Sequence, residues 1–184
     1  MLNTLLFVFL FFLPAGIANM APVFAARIPG LRQWNARIDG GATWRGKRLL
    51  GDNKTTRGFA AGLLAAIITT AIIFAVISHS GSLASIFPQS YLNANPILLG
   101  ALLGIGALVG DSVKSFFKRR VGIASGKSWF PFDQIDYIIG PIIFTVFYVP
   151  LKPTQYLLLI GLGFVLHITS VYIGYLTKIR EQAI

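Results

Sequence analysis

Between Gly58 and Gly110 the chain runs for 53 residues without one Asp, Glu, Lys or Arg. A helix crosses the ~30 Å hydrocarbon core of a bilayer in about 20 apolar residues. The run is therefore too long for one crossing and long enough for two, divided by the polar, proline-containing stretch from Ser78 to Pro96. Three shorter charge-free runs flank it: Met1 to Ala26, Tyr137 to Leu151 and Pro153 to Thr177. A secretory signal peptide needs a basic n-region, whereas the first basic residue here is Arg27, so the first run reads as a retained helix. The expected fold class is all-α: one polytopic membrane domain over residues 1–184, with five transmembrane helices at about 3–24, 59–78, 96–117, 132–151 and 154–176. Two long loops, at about 26–58 and 118–131, join them on one side, and Lys152-Pro153 marks a tight hairpin between the last two.

Charge sets the orientation. Eight Lys and Arg fall between Arg27 and Arg57, five between Lys114 and Lys127, and two at Lys178 and Arg180, all on one side, against Lys152 alone on the other. Basic loops stay cytoplasmic, so the N-terminus is expected outside and the C-terminus inside. The net charge of +10 is then a topology signal, and no nucleic acid is needed to explain it. The chain has no cysteine and only two histidines, His79 and His167, which excludes thiolate chemistry and Cys-ligated metals.

The six acids are more informative. Asp39, Asp52, Asp111, Asp133, Asp136 and Glu181 all lie on the expected cytoplasmic side. Pro96 to Gly110 gives 15 residues, about 22 Å of helix, so the third span must continue through Asp111 to cross. The fourth must likewise reach back through Asp136 and Asp133. Two helices thereby bring carboxylates to one depth, where ionisable groups are costly and commonly functional. Capping and the helix dipole account for one acid after Pro131, less easily for two at i and i+3, and Asp111 has local partners in Lys114 and Ser115. Asp111, Lys114, Ser115 and Lys118 share one helix face, and Arg119 and Arg120 extend the cationic column into a loop with Gly122, Gly126 and Lys127. In the first loop, GKRLLGDNKTTRG from Gly46 to Gly58 mixes glycines, cations and hydroxyls. Such a segment suits phosphates but lacks the Walker spacing, and Thr55 or Thr56 also suits the cap of the second helix.

The stretch GDSVKSFFKRRVGIASGKSWFPFDQIDYIIG, Gly110 to Gly140, resembles the CTP-dependent CDP-archaeol synthases, small relatives of bacterial phosphatidate cytidylyltransferases. The likeness rests on Gly110-Asp111, Ser115, Lys118-Arg119, Pro131 and Asp133-Gln134-Ile135-Asp136, with Gly46 to Phe59 matching the family's first cytoplasmic loop. The bacterial enzymes' Lys-Asp pair after Lys-Arg and their His-Gly-Gly are absent: Ala124-Ser125 and Trp129-Phe130 stand there. The resemblance implies transfer of CMP from CTP to a lipid phosphate, 2,3-di-O-geranylgeranylglyceryl phosphate or similar, at the membrane's cytoplasmic face, with membrane lipids around the helices. It assigns Asp111, Asp133 and Asp136 to Mg²⁺, Lys114, Ser115, Lys118 and Arg119 to the phosphates of CTP and lipid, and Asp52, Asn53, Lys54 and Thr55 to further nucleotide contacts. Phosphatidate is the alternative lipid. A CDP-alcohol phosphatidyltransferase would need D-G-x-x-A-R, but Asp39-Gly40 is followed by Gly41-Ala42-Thr43-Trp44. A transporter or assembly factor would place acids near mid-span, where this chain has only His167.

Overall fold

The computed structural model describes residues 1–177. Helix α1 (Leu2–Ala25) is followed by a loop holding one helical turn, α2 (Pro29–Arg32), and a small antiparallel hairpin of β1 (Thr43–Trp44) and β2 (Lys47–Arg48). Thr43 pairs with Arg48 and Trp44 with Lys47. Helix α3 (Thr56–Ser78) starts where the Thr55 hydroxyl accepts a hydrogen bond from the Gly58 amide at 3.1 Å, which satisfies one of the orphan donors of the first turn. The polar break after it is two short turns, α4 (Gly81–Ala84) and α5 (Gln89–Leu92). Asn95 then caps α6 (Pro96–Arg120) by accepting from the Ile97 and Leu98 amides, with Pro96 at the first position, where its missing N–H costs nothing. Helices α7 (Phe132–Thr145) and α8 (Pro153–Leu176) complete the bundle.

Four of these helices, α1, α3, α6 and α8, have 23 to 25 residues and are long and apolar enough to cross a membrane. The expected fourth span, 132–151, is helical only in part: α7 has 14 residues, about 21 Å of axis. The chain leaves it through a turn in which the Tyr148 and Val149 amides both donate to the Thr145 carbonyl. Pro150 keeps the chain from resuming a helix after that turn, since a proline disfavours the helical region for the residue before it and lacks the N–H to continue.

Helix α6 is the centre of the bundle, and its glycines make two close faces. Gly100 and Gly104 meet α3, where an added Cβ at Gly100 would stand 2.7 Å from the Ile67 Cα. Gly106 and Gly110 meet α7, where a Cβ on Gly106 would stand 2.6 Å from the Pro141 Cα and one on Gly110 would run into the Asp136 carbonyl. Glycines four apart let helix backbones touch in a membrane, where no hydrophobic effect separates helix from lipid and packing must hold them. Toward the other end of α6, Phe7, Phe11, Phe87, Tyr91, Leu99 and Leu103 form a buried apolar cluster.

The first loop packs on the C-terminal end of α6. Trp44 stacks on Phe116 with ring centres 5.7 Å apart. The Arg120 guanidinium donates to the carbonyls of Trp44 (2.7 Å), Lys47 (3.1 Å) and Arg48, while Lys47 Nζ donates back to the Arg120 carbonyl at 3.0 Å. The hairpin itself is organised by Asp39, whose side chain is only 4% exposed. That carboxylate accepts from the Gly41 and Leu50 amides and from Arg48. Burial works to raise its pKa, and these hydrogen bonds together with the Arg48 charge outweigh it, holding the group below its ordinary value.

Candidate active site

A cavity of about 640 Å³ opens where α1, α6, α7 and α8 meet the two loops, within the ~300–1,000 Å³ typical of small-molecule sites. Helix α1 contributes Asn19, Pro22 and Val23, and α8 contributes His167 and Val171. The first loop supplies Gly51, Asn53 and Lys54, and the second supplies Ser125 to Ser128. Helix α6 presents Asp111, Lys114, Ser115, Lys118 and Arg119, one face as the i, i+3, i+4, i+7 spacing predicts, and α7 presents Asp133 and Gln134. Arg120 stands nine positions after Asp111 in α6, about 13 Å along the axis, so the acid end of the site is recessed below the loop end of the bundle.

The carboxylates converge on one ammonium. Lys114 Nζ lies 3.1 Å from Asp111 Oδ1, 2.8 Å from Asp133 Oδ1 and 2.8 Å from Asp136 Oδ2. Lys54 closes onto Asp111 from the first loop. Lys118 Nζ, whose side chain is 8% exposed, donates to both oxygens of Asp133 at 2.9 and 3.1 Å. Asp133 also accepts from the Trp129 amide at 2.6 Å, so it holds the turn before α7 as well as the cations. Asp136 stands behind the cavity wall, 7% exposed, and its Oδ2 lacks an aligned hydrogen bond despite the nearby ammonium.

Not every expected residue joins the cluster. Asp52 faces away, half-exposed, bound to Arg48 at 2.7 Å and Arg37 at 3.0 Å. Thr55 caps α3 and lines a narrow crevice beside Asp111 rather than the main cavity. Asn53 and Lys54 from the same segment do reach it. Asn19, Ser125, Lys127, Gln134 and His167 also line the cavity, although the sequence pattern did not single them out as site residues. Polar residues in apolar spans, Asn19 and His167, were the available signal, as was the spacing Gly106-x-x-x-Gly110 for the helix contact that sets Asp111 against Asp136.

Three acidic oxygens around one point suit a hard divalent ion, which takes oxygen ligands, although no group of three or more acids or histidines stands ready-spaced for a metal among the described residues. The Lys114 ammonium stands among them. The donor set thus fits a cation, and Lys114 marks where one is favoured.

The chain is similar over residues 1–183 to the family model described as CarS-like, CDP-archaeol synthase. It is 35% identical to the CDP-archaeol synthase of Methanosarcina barkeri across 92% of this chain and 98% of that one. With the Thermococcus kodakarensis synthase the identity is 34%, across 95% and 93%. A synthase from Methanospirillum hungatei is 45% identical over a shorter stretch, 62% of this chain and 65% of its own. A solved intramembrane enzyme of archaeal membrane-lipid biosynthesis superposes with a TM-score of 0.70 at 29% identity, covering 88% of this chain and 90% of the other. A match along nearly the whole sequence, on a helical bundle whose cations and carboxylates meet in one recessed cavity, shows that the chain belongs to the CDP-archaeol synthase family of CTP-dependent cytidylyltransferases.

Proposed function

We infer that this protein transfers CMP from CTP to a lipid phosphate, releasing pyrophosphate and leaving a CDP-activated lipid, with 2,3-di-O-geranylgeranylglyceryl phosphate as the acceptor its relatives imply. The observation that carries the reading is the cavity that mixes Lys54, Lys118, Arg119 and Lys127 with buried carboxylates at the ends of membrane helices. A phosphate monoester has a second pKa near 6, so the lipid nucleophile is ionised at neutral pH and needs no general base. Its oxygen attacks the α-phosphorus of CTP, and the bond to the bridging oxygen of the departing pyrophosphate breaks. What the protein must supply is the bringing together of two polyanions, by positioning and charge neutralisation.

The residues divide that work. The Arg119 guanidinium lines the cavity and donates no hydrogen bond among the described residues, so it is available to a phosphate. Lys118 stands beside it, and Lys54, Asn53 and the close-packed backbone of Gly51 face them from the first loop. Asp111, Asp133 and Asp136 would hold Mg²⁺, which when bound neutralises phosphate charge. Asn19, Pro22 and Val23 on α1 and His167 and Val171 on α8 bound the cavity from the helical side, where the lipid headgroup would enter while its tails stay among the helices.

The proposed topology has α7, extended by the turn through Val149, as a fifth crossing, with the loop end cytoplasmic. The fifteen-to-one distribution of Lys and Arg supports it. So does the direction of the helices, since the ends of α1 and α6 meet the start of α7 and the later part of α8 around one cavity.

Purified protein given labelled CTP and a panel of ether- and ester-linked lipid phosphates, with Mg²⁺ and with chelator, tests the reading. A CDP-lipid formed only with metal is expected, fastest from the ether lipid. Preference for phosphatidate would move the assignment to CDP-diacylglycerol synthesis, and no product from any lipid phosphate would overturn it.

A further inference from the structure

We propose that Lys114 is a resident cation that exchanges with the divalent ion: in the nucleotide-free protein its ammonium holds Asp111, Asp133 and Asp136 together, and when metal binds it leaves them and carries its charge toward the phosphates. The proposal rests on the metal site of the proposed function and assigns Lys114 a place in the reaction cycle beyond simple phosphate contact.

The geometry singles out this lysine. Lys54 touches only Asp111 of the three acids, and Lys118 touches only Asp133. Among the described residues Lys114 alone reaches all three, at 2.8 to 3.1 Å, and so occupies the point on which their oxygens converge. Three carboxylates and three ammonium groups make a closed, neutral set. A divalent ion added to that set would sit at contact distance from a like charge, so the two cannot share the point. The fit of the ammonium is also incomplete, because Asp136 Oδ2, on a side chain 7% exposed, lies 2.8 Å from Nζ yet has no aligned hydrogen-bond donor among the described residues. An ammonium offers three hydrogens in a fixed tetrahedral arrangement, whereas a hard metal ion accepts six or more oxygens around it. The residue has somewhere to go. Its flexible four-carbon stem springs from the face of α6 that also presents Ser115 and Arg119 to the cavity, so a change of rotamer takes Nζ from the acids to a phosphate beside Arg119.

Mn²⁺ titrated into the purified protein without nucleotide, with free Mn²⁺ followed by electron paramagnetic resonance, reads the exchange directly. Wild type should bind weakly and Lys114→Met at least about tenfold more tightly, a gain that Lys114→Met combined with Asp133→Asn abolishes. Equal or weaker Mn²⁺ binding by Lys114→Met overturns the proposal, as does a gain that survives loss of Asp133. Should the Met variant not fold, amine labelling of wild type read by mass spectrometry decides. Lys114 should label several-fold faster in saturating Mn²⁺ than in potassium salt of equal ionic strength, and an unchanged rate overturns the exchange. Failure of the cytidylyltransferase reading is distinguishable, since it would appear as absent CDP-lipid product whatever the Mn²⁺ affinity.

Discussion

Arg119 and Arg120 are neighbours in sequence with opposite duties. Arg120 spends its guanidinium on three backbone carbonyls of the first loop and lies over the Trp44 and Phe116 rings, whereas Arg119 lines the cavity and its guanidinium donates no hydrogen bond among the described residues. Arg119→Ala should therefore lower turnover about 10²–10³-fold, the usual cost of losing a group that meets developing charge, with the melting temperature near wild type. Arg120→Ala should instead lower the melting temperature and open the hairpin to proteolysis. Steady-state kinetics and thermal melts on both variants check the pair, and matching behaviour would contradict the division. The carboxylates are less separable. Asp133→Asn keeps an acceptor for the Trp129 amide but leaves Lys118, nearly buried, without its counter-charge, and an uncompensated buried charge is destabilising. Activity and melting temperature should both fall for Asp133→Asn, and activity alone for Asp136→Asn, because Lys114 keeps two other carboxylates. The sequence shows that acids and cations share a helix face. It does not show which cation each acid holds, because that pairing crosses from α6 to α7 and to the first loop.

At the scale of elements, α6 decides the geometry. A methyl group at Gly106 would meet the Pro141 Cα at 2.6 Å, backbone against backbone, with no flexible side chain to give way. Gly106→Ala should cost about 1–3 kcal/mol, as overpacking does. Turnover should fall further than stability, since the displaced helix carries Asp133 and Asp136. An active enzyme with an unshifted melting temperature would contradict the contact. The first loop makes a separate prediction through Asp39. Its folded-state pKa lies below the ordinary value, so the stability it lends is complete above the unfolded pKa near 4 and is lost only as pH falls through the lower folded value. Proteolysis of the hairpin should stay slow at pH 5 and rise only in stronger acid, whereas Asp39→Asn should be cut readily at neutral pH. Helices α1, α3, α6 and α8 fall where spans are expected, α6 running on past its charge-free part through Asp111 to Arg120, because long apolar composition dictates them. Helix α7 does not: hydropathy is blind to where a helix turns, and α7 ends at Thr145, short of the expected Leu151.

For the molecule as a whole, reporters fused to the two termini should be found on opposite sides of the membrane, with the C-terminal one cytoplasmic; reporters on one side would remove the fifth crossing. By itself the sequence determined that helices of spanning length alternate with basic loops, and that acids converge on helix ends, because each of these is contained in the order of charges along a line. The motif around Asp111 to Asp136 added the family. Only the tertiary structure decided that Asp52 turns away to Arg37 and Arg48, that Thr55 is spent on a cap, and that Asn19 and His167 from the outer helices complete the cavity. It also decided that one lysine stands at the centre of three carboxylates. Those outcomes depend on the rotation of each helix about its axis and on how closely two backbones approach. Both are set by glycine faces and loop packing between residues far apart in the chain, and a one-dimensional reading of charge and period carries neither.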